Sequence, residues 1–434
     1  MASQLPATLR VYRKLSGAVA PLTSALVSRR LKQGKEDEAR IGERRGVSKV
    51  SRPAGPLIWI HGASVGEVLA AAALIERLRG LNIRILLTSG TVTSAAVVAK
   101  RFPADIIHQY VPYDTPRFVA RFLDHWQPSL ALFIESDLWP NMILSSAARR
   151  LPMVLINGRM SPRSFPRWRR LPATIAALLG RFDICLAQSD TDAERFAALG
   201  GRNVIVTGNL KLDVAAPPVD QAKLERLMAL TRGRPVVVAA STHPGEEELL
   251  LAAHRTLAVQ FPSLLTVIVP RHPNRGEAIA RMIAGAGAQV ALRSLDEQPV
   301  ARTDIYVADT MGELGLFYRL APIVFMGGSL VPHGGQNPVE AVKLDAAIVH
   351  GPHVFNFTDI YAALDGAGGA RQVTDAETLA KQLGQLLNDS AARQLSTAAA
   401  SRVVEKLGGA LDRTLAALQP YLLQLQLEQG AADA

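Results

Sequence analysis

A single cysteine, Cys185, stands in 434 residues, which excludes a disulfide framework and a cysteine-rich metal site. It lies in FDICLAQ, an apolar strand-like run, and is expected to be buried and inert rather than nucleophilic. One thiol fits a reducing compartment without proving it. Long hydrophobic runs are missing as well. A membrane-spanning helix needs about 20 predominantly apolar residues, whereas Leu15–Val27 is shorter and is broken by Ser, Thr and Pro21. With no small-residue cleavage site after it, this stretch is not read as a secretion signal. No repeat of solenoid length and no low-complexity tract occurs. The dinucleotide spacing GxGxxG, the phosphate loop GxxxxGK[ST] and the zinc spacing HExxH are all absent. His61, His243, His272, His333 and His353 fall at no metal-ligand spacing, so no metal is expected, and scattered core or loop histidines are their plain reading.

Acidic residues are absent from Leu138 to Phe182, where Arg149, Arg150, Arg159, Arg163, Arg167, Arg169, Arg170 and Arg181 stand. Residues 1–50 hold eleven Lys/Arg against four Asp/Glu, and the whole chain carries a net charge of +10. Clustered positive charge points to a polyanionic partner: nucleic acid, acidic lipid or a phosphorylated substrate. Few aromatics accompany these arginines and no stacking platform is visible, so nucleic acid is disfavoured. The segment Leu5–Leu31 mixes Leu, Val, Ala and Tyr12 with Arg10, Arg13, Lys14, Arg29 and Arg30. It reads either as a basic amphipathic helix in a membrane interface or as a helix packed on the body.

With 48% hydrophobic and 20% charged residues, the chain has the balance of a folded protein, and its length favours two domains. From Pro56 onward, apolar β-branched runs alternate with amphipathic helical segments. The runs are Leu57–Ile60, Ile83–Ser89, Leu130–Glu135, Pro152–Asn157, Asp183–Gln188 and Asn203–Gly208, with helices expected at Val68–Arg79 and Pro116–Trp126. Ala215-Ala216-Pro217-Pro218 interrupts the pattern, because two prolines continue neither a helix nor a central strand. The alternation then restarts with Pro235–Ser241, Leu264–Pro270, Asp304–Asp309, Ala321–Gly328 and Ala346–Gly351, and the tail from Asp375 reads as helical. Continuous apolar strands separated by helices imply parallel sheets covered on both faces. The fold expected is α/β, with two doubly wound Rossmann-like domains facing each other across a cleft. The divisions expected are 1–50, 51–215, 216–405 and 406–434.

In such sheets ligands collect at the carboxyl ends of the strands, at the switch point of strand order. The polar clusters of this chain follow the strands. In His61–Glu67 (HGASVGE), Gly62 and Gly66 allow a tight turn, and Glu67 falls in the first helical turn. There it acts either as a proton acceptor for an attacking hydroxyl or simply as a capping acid. Glu135 and Asp137 follow the next strand: Glu135 either faces Glu67 or makes a structural salt bridge. Lys211 lies just before the proline break, where it meets an anionic substrate or is a surface lysine. In the second half, Ser241 and Thr242 offer hydroxyls, Arg271 after Pro270 offers a planar fork for phosphate, and Met311-Gly312-Glu313 follow a strand. Gly328, Ser329 and Asn337-Pro338-Val339-Glu340 form a glycine-rich stretch entering a helix, an anion site by its free N–H groups.

Taken in order, HGASVGE, ESDLWPN (Glu135–Asn141), NGRMSPRS (Asn157–Ser164), GNLKLD (Gly208–Asp213), PRHPNR (Pro270–Arg275), DTMGELG (Asp309–Gly315) and GGSLVPHGGQNPVE (Gly327–Glu340) closely resemble the 3-deoxy-D-manno-octulosonic acid (Kdo) transferases of lipopolysaccharide synthesis. The resemblance covers about residues 10–425. It implies a GT-B-type fold, with an acceptor domain at 51–215 and a donor domain at 216–405. It further implies inverting transfer of Kdo from CMP-Kdo to a lipid A precursor of the lipid IVA type, with neither metal nor cofactor. On this pattern Glu67 matches the general base, and Glu135 and Lys211 match transition-state-stabilising positions. Pro270, Arg271, Met311, Gly312, Glu313 and Asn337 to Glu340 match CMP-binding positions, with Ser241, Thr242, Gly328 and Ser329 as further donor contacts. Arg159, Arg163 and Arg167 are candidates for the acceptor's phosphates. Asp137 stands where the pattern has a second Glu. The resemblance places the enzyme on the cytoplasmic face of a bacterial inner membrane, attached through its N-terminal segment. Two other readings are a GT-B sugar transferase or sugar-nucleotide epimerase using a UDP-sugar, and a non-catalytic binder of anionic lipid.

Overall fold

A computed structural model of the protein describes residues 5–213 and 216–433. Ala215 of the proline break, residues 1–4 of the N-terminal segment and Ala434 lie outside the described residues. The chain divides into two compact units, Met1–Asp213 with Gly408–Ala434, and Val214–Leu407.

The first unit is built on seven strands: β1 Leu57–His61, β2 Arg84–Ser89, β3 Ile107–Tyr110, β4 Leu130–Ile134, β5 Met153–Gly158, β6 Ile184–Ala187 and β7 Val204–Val206. They pair in the order β3-β2-β1-β4-β5-β6-β7, and every pairing is parallel. The second unit repeats the scheme with β8 Val236–Thr242, β9 Leu265–Pro270, β10 Val290–Leu292, β11 Ile305–Val307, β12 Ile323–Met326, β13 Ala347–His350 and β14 Ala370–Gln372. Its order is β10-β11-β9-β8-β12-β13-β14. The sequence order reverses between β1 and β4 in one sheet and between β8 and β12 in the other, so each unit has its switch point there.

The central strands are apolar along their whole length because helices bury both faces. In the first unit Trp59, Phe133, Phe122, Trp126 and Met142 fill one side of the sheet. Ile58, Ile60, Leu74 and Ile75 fill the other, together with Leu418, Leu422 and Leu425 of the C-terminal helix Ala410–Asp433. That helix therefore completes the first core from the far end of the sequence. Asp213 fixes its start: Oδ1 accepts the Gly409 N–H at 2.8 Å, Oδ2 accepts the Leu411 N–H, and Arg413 Nε donates to Thr207 O at 2.9 Å.

Two strands escape the apolar pattern, β3 and β14, while β10, three residues long, is apolar but too short to stand out. β3 reads IHQY, and β14 reads ARQ on an edge. At the rim of a sheet one side needs no burial, so polar residues are tolerated and the pattern fades. The helix expected at Val68–Arg79 begins earlier, at Val65, and is divided at Ala71 into Val65–Ala70 and Ala72–Arg79. The N-terminal segment is likewise two helices, Ala7–Val19 and Thr23–Lys32, separated by a 3-10 turn containing Pro21. Proline lacks the N–H that a continuous helix would use there. Cys185 is fully buried, and burial pushes its thiol up to about 12, so it is inert as expected.

Candidate active site

At the switch point of the first sheet three carboxylates gather. His61 ends β1 beside Phe133 of β4, and the turn Gly62–Ser64 leads into the helix Val65–Ala70. Ser64 caps that helix through its Oγ, which accepts the Glu67 N–H at 3.3 Å. The Glu67 carboxylate folds back on the same turn, accepting the Ala63 N–H at 2.7 Å and the Ser64 hydroxyl at 2.8 Å. Glu67 is thus a capping acid in its geometry. It is also more than that, because its pKa lies above the ordinary carboxylate value. Burial is the main cause, the hydrogen bond from Ser64 works against it, and the charges of Glu135 and Asp137 add to the rise. A carboxylate raised in this way is a better proton acceptor near neutral pH than an ordinary one. Gly62 keeps this turn close-packed, since a Cβ on it would stand 3.0 Å from Ile134 Cδ1 and 3.2 Å from Glu67 Cβ. Gly66 faces open space apart from Ser64 Oγ at 3.9 Å.

Glu135 directly follows β4 with φ at +61°, a left-handed conformation uncommon for a residue with a side chain and characteristic of sites under constraint. Its Oε1 lies 2.6 Å from Lys211 Nζ. Glu135 therefore both neighbours Glu67 and forms an ion pair. Lys211 sits in the short 3-10 turn Leu210–Leu212, whose cap is the Asn209 side chain. Asp137 takes a different partner, His61 Nε2 at 3.0 Å, while His61 Nδ1 lies 2.9 Å from Thr88 Oγ1. Thr88 Oγ1 in turn accepts Trp59 Nε1–H at 2.9 Å. One chain of contacts thus runs from Trp59 through Thr88 to His61 and Asp137, tying the end of β1 to the turn after β4. Burial works to raise Asp137, but the bond and charge of His61 outweigh it and leave the group below its ordinary value.

Two supports of this site gave little sequence signal. Asn157, fully buried with φ at +51°, accepts the Leu210 N–H on its Oδ1 at 2.9 Å and so holds the turn that carries Lys211. The irregular β5–β6 register around it marks the local bulge. The His61–Thr88 contact joins neighbouring strands far apart in sequence, so spacing alone could not reveal it.

In the second unit several expected donor contacts prove to be internal. Glu246, fully buried at the start of the helix Glu246–Ala258, accepts four backbone N–H groups: His243 at 2.9 Å, Gly328 at 2.7 Å, and Ser329 and Leu330 at 3.0 Å each. The amides of Gly328 and Ser329 are thereby occupied by a protein carboxylate. The Ser329 hydroxyl is also committed, donating to Met326 O and accepting the Gly351 N–H at 2.8 Å. Thr242 Oγ1 donates to Glu247 at 2.7 Å, and Glu247 holds Arg275 through two contacts at 2.8 and 2.9 Å. Thr242, Gly328 and Ser329 thus hold contacts within the protein, whereas Ser241, at φ +58°, makes no side-chain hydrogen bond among the described residues.

What remains open is a smaller set. Arg271 is exposed at the end of β9, after the buried Pro270. Met311 is exposed, and Gly312, at φ +81°, has nothing within 4 Å of a Cβ position. Glu313 beside them is spoken for, bonded to Arg293 (2.5 and 2.9 Å), Lys223 (2.8 Å) and Thr310, and the Arg293 contact foremost holds its carboxyl down to about 2. Met311 and Glu313 border a pocket of about 330 Å³ that Lys223, Arg226 and Arg293 also line. The helix expected at Asn337 is a single turn, Val339–Val342, with the Asn337 side chain accepting the Val339 N–H at 3.1 Å. Glu340 on that turn makes no hydrogen bond or ion pair among the described residues, and burial raises its pKa.

The basic surface of the first unit is real. Arg159, Arg163 and Arg167 are all exposed, the last on the helix Ser164–Arg169. The helix Ala7–Val19 packs on the body through Leu9, buried in the core, and through polar contacts: Tyr12 donates to Asp114 at 2.9 Å and Asn141 Nδ2 to Ser16 at 2.9 Å. Its outward side carries Val11, Leu15 and Val19, between 50% and 61% exposed. Next to it runs a groove of about 460 Å³ lined by Leu9, Tyr12, Asp137, Trp139, Trp168 and Leu171. No helix among the described residues is long and apolar enough to cross a membrane.

Comparison with known proteins identifies the family. Residues 39–214 match the family model described as 3-Deoxy-D-manno-octulosonic-acid transferase (kdotransferase). Over 390 residues the chain is 36% identical to the 3-deoxy-D-manno-octulosonic acid transferase of Haemophilus influenzae, covering 88% of this chain and 91% of that one. Among solved structures it resembles a glycosyltransferase from Rickettsia africae (TM-score 0.57, 13% identity, 85% of this chain and 99% of that one). It also resembles a UDP-GlcNAc 2-epimerase from Neisseria meningitidis (TM-score 0.51, 13% identity, 81% and 99%). These two likenesses show the fold, which serves more than one chemistry. The sequence identity decides the family: the chain belongs to the Kdo transferases and is a glycosyltransferase.

Proposed function

We propose that this Kdo transferase moves Kdo from CMP-Kdo to a lipid A precursor of the lipid IVA type, with inversion and without a metal ion. The first unit takes the acceptor and the second the donor. The observation that carries the reading is Glu67, a carboxylate raised above its ordinary value beside Glu135 and Asp137. Glu67 accepts the proton of an acceptor hydroxyl as that oxygen bonds to the anomeric carbon. The bond from that carbon to the phosphate oxygen breaks, and CMP leaves with its electron pair. Glu135 and Lys211, paired at 2.6 Å, stabilise the charges that develop. On the donor side Arg271 meets the phosphate. The exposed Met311 and Gly312 border the nucleotide, and Glu340, without a hydrogen bond or ion pair among the described residues, suits ribose hydroxyls, whose hydrogen bonds its carboxyl oxygens can accept.

The acceptor is a phosphorylated amphiphile, and the first unit offers matching chemistry. Arg159, Arg163 and Arg167 suit its phosphates, and the groove beside Trp139 and Leu171 suits acyl chains. The stripe Val11–Leu15–Val19, with Arg10, Arg13 and Lys14 beside it, suits the anionic inner-membrane surface on the cytoplasmic side. Mass spectrometry of the product formed from CMP-Kdo and a defined lipid A precursor tests the reading. An added Kdo is expected, and transfer only from UDP-sugars would replace this function with that of another sugar transferase. Flotation with anionic vesicles tests attachment: Leu15→Asp is expected to lower the bound fraction, and unchanged flotation would remove the N-terminal helix from that role.

A further inference from the structure

Three histidines arrive at one place in the second unit from three separate loops. His243 follows β8, His272 follows β9, and His333 lies in the glycine-rich stretch after β12. The rings of His243 and His333 lie against each other, with centroids 3.7 Å apart and planes 34° apart, and His272 stands edge-on to His243 at 6.0 Å. Gln336 Nε2 is 3.4 Å from His243 Nε2. Gly328, at φ +68°, leaves room for this arrangement, since a Cβ there would stand 3.1 Å from His243 Cδ2. The rings stack rather than aim their nitrogens at one point, and no three His, Cys, Asp or Glu among the described residues are grouped to hold a metal. His243 is buried, while His272, His333 and Arg271 are exposed, so the cluster opens to solvent.

The charges around this cluster are one-sided. His243 faces His272, His333, Arg271 and Arg275, and burial first, then these neighbours, bring its imidazole down to about 4. The carboxylates nearby are engaged elsewhere: Glu246 in its four backbone N–H bonds, and Glu247 with Arg275 and Thr242. In such a field the His243 imidazole is disfavoured as a cation, and an oxyanion entering beside it reverses the local field and favours the protonated form.

We propose that His243, His272 and His333, together with Arg271, form an oxyanion site for an acidic group of the donor, and that one imidazole takes up a proton as that anion binds. The proposal rests on the donor reading above. CMP-Kdo carries two such groups, the phosphate and the sugar's carboxylate, and either chemistry fits. A proton held here offsets the negative charge that builds as the nucleotide departs.

Calorimetry of the full chain in two buffers of different ionisation enthalpy, near neutral pH, counts protons exchanged on binding. Wild type is expected to take up close to one proton beyond the ligand's own ionisation. A variant with His243→Gln, His272→Gln and His333→Gln is expected to lose that uptake and to bind at least tenfold more weakly. His333→Gln alone, at an exposed position, serves if the triple variant does not fold. Uptake with both CMP and CMP-Kdo assigns the phosphate, and uptake with CMP-Kdo alone assigns the carboxylate. Equal proton exchange in wild type and variants overturns the proposal even where both ligands bind. Failure of either ligand to bind wild type instead removes the donor reading, and the proposal with it.

Discussion

The two sheets place acids at corresponding positions and use them in opposite ways. At the carboxyl ends of β1 and β4, Glu67, Glu135 and Asp137 crowd one another, and each retains some exposure. At the matching ends of β8 and β12, Glu246 and Glu247 are buried and fully bonded to backbone amides, a hydroxyl and a guanidinium. A helix N-terminus attracts negative charge in both units. In the first unit the carboxylate keeps its own like-charged neighbours and can exchange protons. In the second, the carboxylate fills the amide nest that a ligand phosphate could have used, and Arg271 is left exposed beside the histidine cluster.

The comparison can be broken most severely at Glu67. Glu67→Gln is expected to slow transfer by about 10²–10⁴-fold, the range for a lost general base, without lowering the melting temperature. The sign follows from linkage. A carboxylate whose folded pKa is raised favours folding at low pH and loses that contribution as pH rises through the folded value. Removing its charge therefore costs no stability near neutrality. The same shift puts the acidic limb of the rate above the ordinary glutamate value of 4.5, since the ionised form is the base. A rate limb at or below that value, or full activity in the variant, would detach Glu67 from proton transfer.

Glu246→Ala should do the reverse. It leaves four buried N–H groups unpaired and is expected to cost about 3 kcal/mol or more of stability, read by denaturant unfolding. An unchanged midpoint would show that the nest has another partner. Next in size, Lys211→Met is expected to slow transfer by about 10–100-fold, because Glu135 then loses its counter-charge. Glu135→Gln combined with it should be less than additive, as expected for a pair acting as one unit. The smallest effect belongs to Glu313. Its pKa of about 2 against an ordinary 4.5 contributes stability above the ordinary value, and that contribution disappears as pH falls toward 2. The melting-temperature gap between wild type and Glu313→Gln should be full at neutral pH and close in acid. A gap independent of pH would show that the Arg293 pair contributes nothing.

Much of this was legible in the chain itself. Runs such as Leu57–Ile60 and Pro235–Ser241 announce buried parallel strands because both of their faces must be apolar, and the polar turns after them mark where ligands collect. The edge strands β3 and β14 were not legible, since an edge relaxes that demand. Glu67 and Glu135 stood out as acids after apolar strands, but the pairing of Asp137 with His61 did not, because it joins β1 to a turn after β4. Thr242, Gly328 and Ser329 looked like donor contacts by position, and only the tertiary structure shows that Glu247 engages the Thr242 hydroxyl and Glu246 the amides of Gly328 and Ser329.

The order and length of apolar segments, the proline break and the seven ordered motifs determined the fold class, the family and the identity of the acids. Those properties depend on local pattern, which a linear chain states outright. Tertiary structure decided which acid is paired, which is raised and which is spent, and it brought three dispersed histidines into one cluster. The protonation and availability of a side chain depend on the burial and charge within a few ångströms of it, and those neighbours come from strands and loops that are distant in sequence.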